Sequence, residues 1–215
     1  MGLKINVGCG KSPTEGYLNL DNSKSLIIAR YPIIYNFLKF FKILKPEQIE
    51  YIEFCKKNKT TFADVTKKLN FDDNSIEVIY SSHMLEHLSR ENAVFFLNEA
   101  RRTLMKGGVL RIVVPDLKIH INEYIKFEDA DRFMTNLHVV SPPFRNLIEK
   151  INLIINGYRH HQWMYDSKSI IKLLESLNFK DVTVLAPGKT FIKNSGKLDL
   201  FERRSESLYV EAKKY

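Results

Sequence analysis

The chain opens with a short apolar strand that runs into a glycine turn and is followed by a second short strand. The two strands are predicted over 3–7 and 18–21, and the second ends in Asp21. The turn between them consists of Gly8, Cys9 and Gly10. Glycine lets the backbone turn sharply and approach a ligand, so we expect bare peptide N–H groups to face one here. A carboxylate that ends the next strand can accept hydrogen bonds from both hydroxyls of a ribose. The pattern therefore predicts an adenosyl ligand at the ends of these strands.

Two further strand ends carry polar side chains. A strand predicted over 60–64 ends in Asp64, and a strand predicted over 76–80 is followed by Ser81, Ser82 and His83. In an open parallel sheet, ligands bind outside the carboxyl ends of the strands. A dinucleotide site is disfavoured, because Pro13 stands where the usual fingerprint needs a third glycine.

This series of strand ends resembles the class I S-adenosylmethionine-dependent methyltransferases of the type 11 kind. The segment Gly-Tyr-Leu-Asn-Leu-Asp over 16–21 is similar to a compact subgroup commonly met beside bacterial surface-glycan genes. Only ten residues separate Gly10 from Asp21, so the first helix of the usual unit does not fit. The resemblance implies S-adenosylmethionine as cofactor and S-adenosylhomocysteine as product.

The resemblance also assigns roles to residues. The glycine turn would lie under the methionine part of the cofactor, Asp21 would bind the ribose, and Asp64 would accept from the adenine amine. The predicted cofactor-binding residues are Gly8, Cys9, Gly10, Asp21, Asp64, Val65, Ser81, Ser82 and His83. Two alternatives stay open: Asp21 as a strand-end carboxylate that caps a loop, and Asp64 as the N-cap of a turn.

The alternation of strands and helices predicts an α/β fold with a Rossmann-like, doubly wound, mostly parallel sheet. Further strands are expected over 109–114, 181–186 and 207–213, and the last two are expected to pair antiparallel because no helix separates them. Ser89 is predicted to cap a helix that Gly107 and Gly108 end. Asp166 is predicted to cap a helix over 167–177, and a further helix is expected over 144–156.

We expect a single methyltransferase domain over 1–215, with a helical insertion over 24–59 and an acceptor-side region over 116–165. The insertion carries eight basic side chains against three acidic ones, and Pro32 and Pro46 predict helices over 32–45 and 46–58. The first of these is apolar nearly all round. It is expected to pack as a lid, or else to contact a membrane surface or a lipid-linked substrate.

Acceptor chemistry depends on a group that can take a proton, and histidine suits that role near neutral pH. The candidate catalytic residues are His83, Asp116, His160 and His161. Residues 83–87 also match the His-x-x-Glu-His pattern of zinc peptidases. We expect no metal, because the histidines lie at a strand-to-helix corner and no distal ligand is recognisable.

The formal charge of +8 suggests an anionic partner, and only two cysteines are present, which favours a reducing compartment. No secretory signal is recognisable, so a cytoplasmic location is expected, possibly peripheral at the inner face of the membrane. The favoured function is O-methylation of a sugar, a glycan precursor or another small metabolite. The alternatives are an RNA-modifying or nucleic-acid-binding protein and a catalytically silent scaffold with the same fold.

Overall fold

The computed structural model describes residues 2–140 and 160–215. The strands are β1 Leu3–Val7, β2 Leu18–Asp21, β3 Thr61–Phe62, β4 Ile76–Ser82, β5 Leu104–Pro115, β6 Lys180–Leu185 and β7 Ser207–Lys213. The helices are α1 Lys24–Ala29, α2 Pro32–Phe40, α3 Pro46–Lys57, α4 Arg90–Thr103, α5 Leu117–Phe127, α6 Ala130–Leu137 and α7 Ser167–Ser176, with a 3₁₀ turn at Leu85–His87. The helix expected over 144–156 lies outside the described residues.

The seven strands form one sheet in the order β3-β2-β1-β4-β5-β7-β6. The first five pair in parallel, whereas β7 pairs antiparallel with both β5 and β6. The predicted fold class is therefore confirmed, including the antiparallel pair at the end of the chain. Because β1 and β4 lie side by side with their carboxyl ends together, the glycine turn and the residues after β4 meet at one edge.

Both faces of the central strands are buried, which accounts for their nearly continuous apolar sequences. On one face Ile5, Ile79 and Ile112 pack beneath α4 and its buried Phe96 and Leu97. On the other face Tyr80, Val113 and Tyr209 form a second apolar cluster. A buried ion pair lies within the sheet, where Arg111 of β5 faces Glu211 of β7 at 2.7 Å.

The predicted end of α4 is wrong. The Ser89 hydroxyl does cap the helix by accepting from the Asn92 N–H, but the helix ends at Thr103 and β5 begins at Leu104. Gly107 lies in a bulge of β5 with φ +77°, and its N–H donates to the Lys214 carbonyl. The glycine pair is therefore part of the β5 bulge and does not end the helix. A bulge, like a helix end, needs a backbone that tolerates positive φ.

The insertion holds three helices, of which the sequence predicted two. α2 ends at Phe40 instead of continuing to residue 45, because the chain turns back through Lys42 with φ +54°. α3 agrees closely with the predicted helix over 46–58, and α1, with Ser23 as its N-cap, was not predicted. Tyr35, Leu44 and Ile52 form a small core of their own. The third strand is reduced to two residues.

The final helix follows its prediction. Asp166 accepts from the Ser169 N–H, and the Ser169 hydroxyl accepts in turn from the Asp166 N–H, which is a complete capping box. Ile170, Leu173 and Leu174 form its buried stripe. Among the described helices, none has the length and apolar character needed to cross a bilayer.

Candidate active site

The glycine turn adopts the backbone that the sequence predicted. Gly8 has φ +72° and Gly10 has φ +50°, both in the left-handed region. At Gly8 a β-carbon would lie 2.5 Å from the Met84 side chain, so close packing also excludes other residues there. At Gly10 a β-carbon would meet no heavy atom within 4 Å, so open space adjoins the turn.

The expectation of bare amides in this turn is wrong. The N–H groups of Gly8 and Cys9 both donate to the Leu20 carbonyl, at 2.8 and 3.0 Å. The Gly10 N–H donates to Asp21 Oδ2 at 3.0 Å. These hydrogen bonds attach the turn to the end of β2, because the short loop leaves no helix to hold it in place. The turn therefore positions Asp21, and the roles of Gly8, Cys9 and Gly10 toward the cofactor stay predictions.

Asp21 accepts three hydrogen bonds from described residues. Besides the Gly10 amide, its Oδ1 accepts from the Ser23 N–H at 2.8 Å and from the Tyr51 hydroxyl at 3.1 Å. An ionised carboxylate offers about four acceptor positions. One ribose hydroxyl can take the remaining position, and a second can bind where Tyr51 now donates. Burial, reinforced by the Asp21 charge, raises the pKa of Tyr51, so Tyr51 stays a donor.

The end of β4 supplies the buried polar atoms that a cofactor needs. Ser81 and Ser82 are the last residues of β4 and do not follow it as predicted, because Ser81 pairs with Val7 and Ser82 with Val113. Ser81 is buried, and its hydroxyl has no hydrogen-bond partner among the described residues. An orphaned hydroxyl beside the glycine turn, with open space at Gly10, fits a polar ligand such as S-adenosylmethionine.

The predicted adenine contact shows a local structural role. Asp64 Oδ1 accepts from the N–H and the hydroxyl of Thr66, at 3.0 and 2.7 Å, as the alternative N-cap interpretation expected. Lys67 Nζ lies 3.6 Å from Asp64 Oδ2. The Val65 side chain belongs to the core. The roles of Asp64 and Val65 toward adenine stay predictions.

His83 follows β4 directly and has φ +48°, a rare conformation for a residue with a side chain. Its Nε2 hydrogen-bonds to Ser207 Oγ at 2.8 Å, and Arg203 Nη1 lies 3.3 Å from its Nδ1. Because a guanidinium can only donate, we assign the tautomer that is protonated at Nε2. The Glu86 carboxylate also lies 3.3 Å from Nδ1. The ring is therefore held between the ends of β4 and β7 with a lone pair on Nδ1.

Glu86 is the most unusual charge in the described structure. It is 0 % exposed, and neither carboxylate oxygen has a hydrogen-bond partner within residues 2–140 and 160–215. Burying a carboxylate without hydrogen bonds is costly, so such groups are normally paired or bound to a metal. The sequence showed the His-x-x-Glu-His motif, but Glu86 and His87 were not among the predicted catalytic or cofactor-binding residues. The motif itself was the sequence feature that could have identified these two residues as functional.

Histidines from two segments surround this carboxylate. His161 Nε2 lies 4.0 Å from Glu86 Oε1, and the His161 ring contacts the rings of His87 and His138, with centroids 4.9 and 5.5 Å apart. Burial lowers the pKa of His161 to about 4, although the Glu86 charge opposes this shift. We call the group His83, Glu86, His87 and His161 the histidine cluster.

Asp116 and the backbone of His160, the other two predicted catalytic residues, make structural contacts. Asp116 is the N-cap of α5, where its Oδ1 accepts from the Lys118 N–H at 2.9 Å. The His160 carbonyl accepts from His87 Nδ1 at 3.2 Å, which orients that ring. The structure thus brings His83 and His161 together around Glu86, whereas Asp116 caps a helix.

Comparisons with known proteins agree with this geometry. The family model described as a methyltransferase domain matches residues 5–112, half of the chain. A solved methyltransferase from Thermotoga maritima, described as a possible histamine N-methyltransferase, is 13% identical with a TM-score of 0.53, covering 100% of this chain and 83% of that one. An S-adenosylmethionine-dependent methyltransferase from Archaeoglobus fulgidus is 16% identical with a TM-score of 0.52, covering 99% and 87%. One from Methanosarcina mazei is 14% identical with a TM-score of 0.52, covering 98% and 91%.

The comparison with curated proteins finds no match. The solved structures share the fold of this chain. Because their sequences are only 13%, 16% and 14% identical to it, they are evidence for the fold alone. The family model covers the glycine turn, Asp21, Asp64 and the end of β4. The chain therefore belongs to the class I S-adenosylmethionine-dependent methyltransferases, with S-adenosylmethionine as its cofactor.

Proposed function

We propose that the protein transfers a methyl group to a hydroxyl of a sugar, a glycan precursor or another small metabolite. The observation that carries this proposal is the histidine cluster, which begins one residue after β4 at the edge that also holds the glycine turn. The His83 side chain is only 7 % exposed. A histidine cluster with so little exposure to solvent suits a compact acceptor whose hydroxyl gives up one proton.

When bound, S-adenosylmethionine supplies a methyl group on a positively charged sulfur, so the acceptor oxygen bonds to that carbon as the carbon–sulfur bond breaks, leaving S-adenosylhomocysteine. In this proposal His83 Nδ1 takes the hydroxyl proton, since its lone pair is held in place by the Nε2 bond to Ser207. The Glu86 carboxylate at 3.3 Å stabilises the imidazolium that forms. Arg203, which now donates to Nδ1, leaves when the acceptor binds.

The test is methyl transfer from tritiated S-adenosylmethionine to a panel of nucleotide sugars, glycan precursors and tRNA. We expect the labelled methyl group on a sugar oxygen, located by NMR, and no label on tRNA. Removing a general base lowers kcat by about 10²–10⁴-fold, and we expect this of His83→Gln. Glu123→Gln, a change from glutamate to glutamine at a half-buried position on α5, is the control.

The panel also separates the alternative functions. Transfer to tRNA without transfer to any sugar overturns the small-acceptor proposal and favours RNA modification. Binding of S-adenosylhomocysteine by calorimetry without turnover on any acceptor favours a silent scaffold. A His83→Gln variant that keeps full kcat contradicts the role of His83 as the general base. The class of acceptor is then still decided by which compounds of the panel become labelled.

We also propose that the insertion contacts an anionic membrane surface, which would bring the site close to lipid-linked acceptors. The supporting observation is an apolar patch on α2 and the residues that follow it. Its members are Ile33, Ile34, Phe37, Phe40, Phe41 and Ile43. Ile33 is 86 % exposed and Phe40 79 %, so this side of α2 does not pack on the described domain as a lid would.

Packing and charge favour a lipid occupant for this patch. Tyr35, on the opposite side of α2, is buried and hydrogen-bonds to Glu53 of α3, which holds the helix while its apolar side faces outward. Lys39, Lys42 and Lys45 lie in the same segment. A short apolar helix side flanked by lysines is typical of interfacial binding, and each lysine near an anionic surface contributes about 1 kcal/mol.

Co-sedimentation with phosphatidylglycerol vesicles and with phosphatidylcholine vesicles tests this contact. We expect binding to the anionic vesicles that Ile33→Ser with Phe40→Ser weakens at least about tenfold, because burying each large apolar side chain contributes about 1.5–3 kcal/mol. Phe201→Ser, at an exposed phenylalanine outside the insertion, is the control. Wild-type protein that stays in the supernatant with both vesicles overturns the proposal.

A further inference from the structure

Three side chains of the histidine cluster are of the kinds that bind metal ions. Glu86, His87 and His161 each offer one ligand atom, and these atoms lie within 4.8 Å of one another. Ligand atoms bound to one ion at about 2.0–2.1 Å stand roughly 3.3 Å apart in tetrahedral geometry. The atoms therefore need to approach one another by at most about 1.5 Å, which is within the reach of side-chain rotations.

The backbone around these residues fixes their positions. The Glu86 carbonyl accepts from the N–H groups of Gln162 and Trp163, at 2.7 and 3.2 Å, and Gln162 Nε2 donates to the His87 carbonyl at 2.6 Å. These bonds join the turn after β4 to the segment that carries His161. Two parts of the chain that are distant in sequence are thus held with their ligand atoms facing each other.

His87 also has the outer contact that ligating histidines usually show. Its Nδ1 donates to the His160 carbonyl, so the neutral ring carries its lone pair on Nε2. A ring nitrogen that donates to a carbonyl or carboxylate orients the other nitrogen toward the metal. At the same time both Glu86 oxygens, fully buried, have no hydrogen-bond partner among the described residues. A cation between these groups would satisfy the buried charge.

We propose that Glu86, His87 and His161 bind one divalent transition-metal ion. Two imidazoles and one carboxylate suit zinc, iron, cobalt or nickel better than magnesium or calcium, which prefer oxygen ligands. Three protein ligands leave at least one position open, as in catalytic zinc sites. This role rests on the proposed function: the open position would hold the acceptor hydroxyl, and the ion would supply Lewis-acid polarisation of its oxygen.

The metal is tested separately from the methyl transfer. Metal-free full-length protein is titrated with Co²⁺ and followed by visible absorption, whose bands report nitrogen and oxygen ligands. We expect one equivalent to bind, and His161→Ala and Glu86→Gln to weaken binding at least tenfold. His120→Gln, a buried histidine of α5 outside the cluster, serves as the control and keeps wild-type affinity.

Thermal unfolding gives a second readout that does not depend on activity. We expect Glu86→Gln to raise the melting temperature of the metal-free protein, because it removes a buried charge, and to abolish the rise that Co²⁺ causes in the wild type. Wild type that shows no cobalt bands, or variants with unchanged cobalt affinity, overturn the metal site. If cobalt binds but a chelator leaves methyl transfer unchanged, the catalytic role of the ion is wrong and the proposed function stands.

Discussion

Asp21 offers the sharpest test of the cofactor site. Its carboxylate accepts hydrogen bonds within the free protein and is also predicted to accept hydrogen bonds from the bound cofactor. Replacement by alanine removes the group predicted to accept from the ribose hydroxyls. A hydrogen bond to a charged group contributes about 1.5–3 kcal/mol. At 1.4 kcal/mol per factor of ten, we expect Asp21→Ala to bind S-adenosylhomocysteine about 10- to 100-fold more weakly than wild type.

The assay is isothermal titration calorimetry with S-adenosylhomocysteine, with melting temperatures recorded in parallel. Asp21→Ala also removes the partner of the Gly10 amide and of the Tyr51 hydroxyl, so a loss of stability alone has to be distinguished from a loss of binding. Tyr51→Phe is the matched control, since it removes one of these contacts and frees one acceptor position on Oδ1, which still accepts from the Ser23 N–H. We expect this variant to keep or improve affinity.

The two variants together can refute the reasoning. If Asp21→Ala binds within about threefold of wild type, a difference of less than 1 kcal/mol, Asp21 does not hold the ribose. If Tyr51→Phe weakens binding as much as Asp21→Ala does, the carboxylate acts by anchoring the insertion and not by direct contact with the cofactor.

Three further predictions concern the frame around the site. Arg111→Met leaves Glu211 buried and without its ion-pair partner, so urea denaturation should show a loss of about 3–5 kcal/mol, and a loss below about 1 kcal/mol contradicts this view of the pair. Burial, with the Asp21 charge adding to it, raises the pKa of Cys9 to about 12, so iodoacetamide at pH 8 should modify Cys9 far more slowly in native than in unfolded protein, and equal rates contradict this. Asp166→Ala should cost about 1 kcal/mol, because it removes the N-cap of α7. Hydrogen bonds from Ser169 lower the pKa of Asp166, so this difference should shrink as the pH falls through and below 3.8, and a constant difference contradicts the cap.

Local patterns in the sequence were sufficient for the sheet. Alternating strands and helices, and the absence of a helix before β7, correctly predicted the parallel sheet with its antiparallel end. Cap residues were equally informative at Ser89 and Asp166, since a hydroxyl or carboxylate at an N-cap acts on the next three residues. Gly107 shows where such patterns fail, because helix ends and strand bulges both need positive φ.

The hydrogen bonds of the glycine turn and the histidine cluster were harder to predict for a different reason. Whether the amides of Gly8 and Cys9 are free depends on the Leu20 carbonyl, which lies more than ten residues away. Likewise the motif at Glu86 indicated chemistry, but its partner His161 comes from a distant segment that the tertiary fold brings close. Contacts of this kind depend on packing and not on local sequence.

A crystal structure with bound S-adenosylhomocysteine tests the central claim most directly, namely that the carboxyl edge of β1, β2 and β4 holds the cofactor beside the histidine cluster. The account predicts ribose hydroxyls within hydrogen-bond distance of Asp21, a polar contact to Ser81, and the sulfur facing His83 and Glu86. A ligand bound elsewhere, or one whose sulfur faces away from the histidine cluster, contradicts it.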